Sequence, residues 1–170
     1  MSVDRLLEAI APDVRAATKA YLTSQNATAF ERAMQRALAK AHTAAYIRGT
    51  ADRTGVLPKG LSRAERDDVK ARVSEQADFL RGFVQAAPYL SEAQVAQRAA
   101  LYLGAVRATY YGARFPGLSS YPGDGSTACK TNCRCHLEER GDGVWWVLDS
   151  AEHCTDCQAR AAGSPYGASR

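Results

Sequence analysis

Apolar residues recur every three to four positions through the first two thirds of the chain, and this rhythm stops at Phe115. Leu6, Leu7, Ile10, Val14, Ala17, Tyr21 and Leu22 fall on one side of a helix predicted from about Asp4 to Gln25. That helix is expected to be interrupted or restarted at Pro12, since proline suits a first helical turn. Phe30, Met34, Ala37, Leu38, Ala41 and Ala45 continue the same period. Thr28-x-x-Glu31 predicts the start of a second helix by the reciprocal capping box, in which each side chain satisfies a free backbone N–H. His42, beside the stripe, reads as a packed or surface histidine. Gly49 to Gly60, with Pro58, predicts a turn-rich connection and a hinge. Ser62-x-x-Glu65 caps a third helix with Val69, Val73, Leu80, Phe83 and Val84 inward and a mixed-charge outer face; Pro88 ends it. Ser91-x-x-Gln94 caps a fourth, with Val95, Ala99, Leu103, Val106 and Tyr110 on one side and Arg98, Arg107, Arg114 and Tyr111 on the other.

Pro116, Pro122 and the glycines around them make Phe115 to Ser126 the clearest boundary, an extended and flexible stretch. Beyond it the period shortens to two. His136 to Arg140 and Val144 to Asp149, joined by Gly141-Asp142-Gly143, predict a β-hairpin. Trp145 and Trp146 are adjacent on the second strand and point to opposite faces. The fold class is therefore mainly α: a bundle of about four helices followed by a small zinc-ribbon-like hairpin knuckle. The implied units are a helical domain (1–118), a cysteine-rich knuckle (119–160) and a flexible, small-residue tail (161–170).

With 170 residues the chain holds one or two small domains, and much of its apolar content is alanine, suited to close helix packing. No apolar run approaches the ~20 residues that span a bilayer, so a soluble protein is expected. The net charge of +4 is uneven: five Lys/Arg against seven Asp/Glu from Ser119 onward, seventeen against eleven before it. A mild basic excess over helices permits contact with nucleic acid or an acidic protein and demonstrates neither. M-S-V-D-R-L-L-E-A-I has an early acid and no long apolar core, so no signal peptide and a reducing compartment are expected.

The chemistry is concentrated in one stretch. All five cysteines fall between positions 129 and 157, as Cys129, Cys133 and Cys135, then Cys154 and Cys157. Two groups brought together by a hairpin suit one structural Zn²⁺ per chain, held by four ligands at tetrahedral corners. Cys154-x-x-Cys157 has the spacing for one half. Cys129 with Cys133, Cys129 with Cys135, or Cys133 with Cys135 completes it. Two residues of extended chain separate Cβ atoms by roughly 7 Å, which favours Cys129 plus one of the others. His153 and His136 are reserve ligands. Disulfides with one odd thiol are the alternative. A catalytic zinc is disfavoured: such a site keeps an open position and usually a carboxylate base, while Glu138, Glu139 and Glu152 read as solvated. No phosphate loop, nucleophile elbow or dinucleotide fingerprint appears, so no enzyme is expected. Candidate partner contacts are Arg107 and Arg114 on the fourth helix, which mixes arginine with tyrosine, and the Trp145/Trp146 pair, one ring of which faces away from the knuckle core.

Asn132-Cys133-Arg134-Cys135, following a helical region, resembles the C-terminal N-C-R-C motif of tailed-phage minor head proteins, the head-morphogenesis family related to the F protein of phage Mu. Y-P-G-D-G-S-T-A-C-K-T-N-C-R-C-H-L and E-H-C-T-D-C-Q-A-R-A-A-G-S-P-Y are similar to the cysteine-rich form of that motif, over about the last third of the chain. The α/β segment with Asp, Arg and His that usually precedes the motif is absent. Lys130-Thr131 stands where His-Pro is usual. The resemblance implies a virion or prophage structural protein, located in the virion and in the host cytoplasm during assembly. Its implied partners are portal, adaptor or capsid proteins at the head or head–tail connector, with a homo-oligomeric ring as an option and no membrane. A zinc-containing nucleic-acid-binding protein, with Arg134 and Arg140 on the knuckle and at least weak DNA contact, is the competing expectation.

Overall fold

The computed structural model describes residues 3–150 and 152–167. Six α-helices and one two-stranded antiparallel sheet are present among them. The first helix, α1 (Val3–Ser24), buries Val3, Leu6, Ile10, Val14, Ala17 and Tyr21, a single stripe at helical spacing. It runs straight through Pro12, contrary to the expected interruption. Pro12 is exposed, so the carbonyl of Glu8 that loses its intrahelical partner faces water, which softens the usual penalty of ~3 kcal/mol.

The second helix, α2 (Ala27–Thr54), starts earlier and ends later than its sequence signals suggest. Its cap is Asn26, whose side chain accepts from the Ala29 N–H at 2.9 Å; Thr28 lies inside the first turn and Glu31 accepts from Gln35 instead. Asparagine two residues upstream is the stronger capping residue. The connection expected over Gly49 to Gly60 is helical as far as Thr54 and a turn-rich link only from Gly55 onward. Gly49 is buried where α5 (Gly104–Arg114) crosses, and any Cβ there would run into the Tyr110 carbonyl and the Ala113 methyl. Glycine is here for close helix approach, and the helix ends at Gly55, in the left-handed conformation (φ 73°).

The third helix, α3 (Arg63–Ala86), has its capping box formed: the Ser62 N–H donates to Glu65 at 2.6 Å and the Glu65 N–H to Ser62 Oγ at 3.3 Å. Val69, Leu80, Phe83 and Val84 are buried, Val73 is half-buried, and Gln76 joins the inner face. A short 3₁₀ turn, Ala87–Tyr89, carries Pro88. The Ser91/Gln94 box then opens α4 (Glu92–Leu101). The expected fourth helix is in fact two. The N–H groups of Tyr102 and Leu103 bond the carbonyls three residues back, at 3.4 and 3.1 Å, and α5 sets off from Gly104. The Thr131 carbonyl lies so close to Gly104 that a Cβ could not fit. The kink thus falls at a glycine, where the cysteine loop presses on the helix.

Two polar networks lie inside this layer. His42 is 1 % exposed, with Nδ1 2.7 Å from Thr109 Oγ1 and Nε2 3.1 Å from Gln76 Oε1. Burial lowers its pKa below the usual histidine value. Arg48, Asp52, Tyr110 and Arg114 form a second network between α2 and α5.

The hairpin consists of β1 (His136–Arg140) and β2 (Gly143–Val147), with Leu137 opposite Trp146 and Arg140 opposite Gly143. Leu137, Val144 and Trp146 belong to the same apolar cluster as the helical core, which is continuous across the expected boundary near Ser119. The stretch expected to be flexible is tied back: Tyr121 donates from its hydroxyl to the Phe115 carbonyl at 3.0 Å, and its N–H bonds Asp124 at 2.7 Å. The expected loose tail is likewise ordered. The last helix, α6 (Thr155–Ala162), is followed by Tyr166, whose N–H and carbonyl both pair with Val144. Positions 168–170 of that tail lie outside the described residues.

Candidate metal centre

Local chain geometry explains why the cysteines meet. Cys133 ends a 3₁₀ turn (Lys130–Asn132) and adopts φ −60°, ψ 123°, and Cys135 stands just ahead of β1. The two residues are therefore not consecutive inward positions of a strand. Their sulfurs lie within 4.8 Å of each other, and the ~7 Å separation expected of extended chain does not apply. On the other side Cys154 is the extended N-cap residue of α6, and Cys157 lies in its first turn. Asp156, between them, accepts from the Ala128 N–H at 2.8 Å and so ties the two cysteine segments together.

The resulting sulfur cluster is tight. Cys157 Sγ is 3.6 Å from both Cys129 Sγ and Cys133 Sγ, and Cys154 Sγ is 3.7 Å from Cys129 Sγ. Sulfurs at ~2.3 Å from one tetrahedral ion would be about 3.8 Å apart, whereas a disulfide requires about 2.05 Å. All five cysteines are free. Two overlapping sets can hold a metal ion among the described residues: Cys129, Cys154 and Cys157; and Cys133, Cys135 and Cys157. His153 approaches from the rim, its Nδ1 3.5 Å from Cys135 Sγ. His136 opens β1 and belongs to neither set.

Electrostatics differ across the cluster. Burial pushes the Cys133 thiol up to about 12 and raises Cys157 as well. Cys154 is drawn down to about 7, chiefly by the backbone N–H of Cys157 at the start of α6. A cation would relieve the cost of ionising the buried pair, and this donor set fits a thiophilic divalent ion.

The other expected contact residues lie around this core. Arg107 points inward, donating to the carbonyls of Cys133 (3.3 Å) and Cys135 (3.4 Å) and to Asp4 (2.6 Å). It thereby joins the cysteine loop to α5 and α1, a role with no short-range sequence signal. Tyr111, expected on the polar side of its helix, is 2 % exposed and hydrogen-bonded to the Leu137 backbone; burial raises its pKa. Arg114 reaches Tyr110 at 2.9 Å and Glu139 at 3.8 Å. Trp146 is buried under the Arg160 guanidinium, whereas Trp145 is half-buried on the opposite face, under Arg140 and bonded to Asp142. Arg98 and Arg134 are exposed.

The chain matches no protein-family model, no curated protein and no solved structure. No helix among the described residues is long and apolar enough to cross a membrane.

Proposed function

We propose that this is a non-catalytic structural protein in which a zinc-ribbon-like hairpin, stapled by Zn²⁺, is presented as an interaction element during tailed-phage head assembly. The observation that carries the zinc is the convergence of five free cysteines, with three sulfur pairs among Cys129, Cys133, Cys154 and Cys157 at 3.6–3.7 Å. Donors of this kind, closed by protein on most sides, suit a structural ion whose binding supplies folding free energy. Zinc here makes no bond to a substrate; it holds the hairpin, α6 and the helical layer in one arrangement. The assembly role rests on the resemblance of Asn132-Cys133-Arg134-Cys135 and its flanks to phage minor head proteins. The partner is then a portal, adaptor or capsid protein. Trp145, half-buried on the outer face of the hairpin, is the aromatic anchor offered to it.

The test is Trp145→Ala in a particle-assembly assay. Zinc content and helicity should stay at wild-type level, while incorporation falls by roughly thirtyfold, the effect of removing an anchor worth ~2 kcal/mol. Undiminished incorporation overturns the clip. Zinc-free protein under reducing conditions overturns the staple, and salt-sensitive DNA binding without particle association favours a nucleic-acid role.

A further inference from the structure

The two ligand sets overlap, and the overlap has a definite form. Cys157 belongs to both, and it lies 3.6 Å from Cys129 of the one and 3.6 Å from Cys133 of the other. Cys129 and Cys154, 3.7 Å from each other, complete the first set. Cys133 and Cys135 complete the second, with His153 3.5 Å from Cys135. His153 is set for coordination: its Nε2 lies 2.6 Å from the Asp149 carbonyl, which can only accept, so Nε2 carries the proton and Nδ1 presents a bare lone pair towards Cys135. One tetrahedral ion uses four donors and leaves two idle. Two ions sharing Cys157 use all six, three sulfurs around the first and three sulfurs with His153 around the second.

We propose that the cysteine core binds two metal ions bridged by the Cys157 thiolate. One ion is held by Cys129, Cys154 and Cys157, the other by Cys133, Cys135, Cys157 and His153 Nδ1. The proposal extends the zinc reading above and depends on it. Charge favours it too. Four thiolates around one divalent ion leave a formal charge of −2 in a mostly buried site, whereas five thiolates around two leave −1. Each cysteine gives up its thiol proton to solvent as the metal–sulfur bonds form, and no redox change is involved. A path for both ions exists. Cys129 and Cys154 from one end of the cluster, and Cys135 and His153 from the other, line a single open cavity, with Cys157 absent from its walls.

The experiment is native mass spectrometry of the reduced full chain saturated with zinc and then freed of loosely held ions. Two ions per chain are expected, falling to one in the Cys135→Ser/His153→Ala double variant. One ion in the saturated wild type overturns the bridged pair while leaving the staple intact; none overturns both. Two ions retained by the double variant overturn the ligand assignment. Should that variant not fold, cadmium-113 NMR of the cadmium-loaded wild type decides: two thiolate-shifted resonances support the pair, and one overturns it.

Discussion

The helical layer and the cysteine unit are built into one core but are held by different means. Phe30, Met34, Leu38, Leu80, Val95, Val106 and Tyr110 are almost fully buried in the former, and burying side chains of this size contributes about 1.5–3 kcal/mol each. From Ser119 onward the large buried apolar side chains are Leu137, Val144 and Trp146, and the other main core members are sulfurs. A lone two-stranded hairpin is marginal in water. The bond from Tyr111 to the Leu137 backbone helps it, and the cysteines supply what apolar area does not. Where a segment is too small to fill an interior, metal ligation takes over from burial.

Removing the metal should separate the two regions most sharply. Apparent binding free energies in zinc-finger peptides are about 10–16 kcal/mol, so a strong chelator should unfold the segment after Ser119. Trp146 fluorescence should shift to the red while the helical circular dichroism largely remains. Simultaneous loss of both signals would show that the helices need the staple as well.

The converse perturbation is Met34→Ala, which empties a fully buried position in α2. A loss of about 2–5 kcal/mol in denaturant unfolding is expected, with the metal content of the folded protein unchanged. A parallel loss of metal affinity would mean that the regions are energetically one.

The smallest effect concerns His42, which is remote in sequence from the cysteines and buried neutral between Thr109 and Gln76. Burial holds its folded pKa below the ordinary histidine value of 6.5, so between the two values the unfolded chain binds more protons. Its contribution to stability is thus complete above pH 6.5 and is lost as pH falls from there towards the folded pKa. The slope is at most about 1.4 kcal/mol per pH unit. Comparing urea unfolding of wild type and His42→Gln between pH 7.5 and 5.5 cancels any acid loss of metal common to both. Wild type should lose its advantage on acidification; a gap that stays constant would show that His42 does not titrate in this way.

Helix positions were legible wherever a local physical signal was unambiguous. The boxes at Ser62 and Ser91 are formed because both partners lie within one turn. Thr28 carried the same pattern and was outcompeted by Asn26, which reached the free N–H groups first. Gly49 read as the start of a turn-rich connection and is packed inside α2, while Gly104 lay unremarked in an expected continuous helix and marks the break between α4 and α5. In each case the reason is a backbone from a distant segment that leaves no room for a Cβ. At the metal centre, residue identities were readable from their crowding in sequence, but their pairing was not. The strand assumption kept Cys133 and Cys135 apart, while the chain turns at Cys133 and brings their sulfurs together.

The sequence alone determined the mainly helical class, the hairpin with its turn at Gly141-Asp142, and the set of thiols and imidazoles available to a metal. These follow from periodicity, turn chemistry and composition, all of which act over a few residues. Only the tertiary structure decided that Arg107 and Tyr111 turn inward, that Tyr166 pairs with Val144, and that Cys157 stands at the meeting point of both ligand sets. Those outcomes depend on which distant surfaces pack together. A side chain on the polar side of its own helix is buried when a later segment folds across it and offers backbone groups as its hydrogen-bond partners.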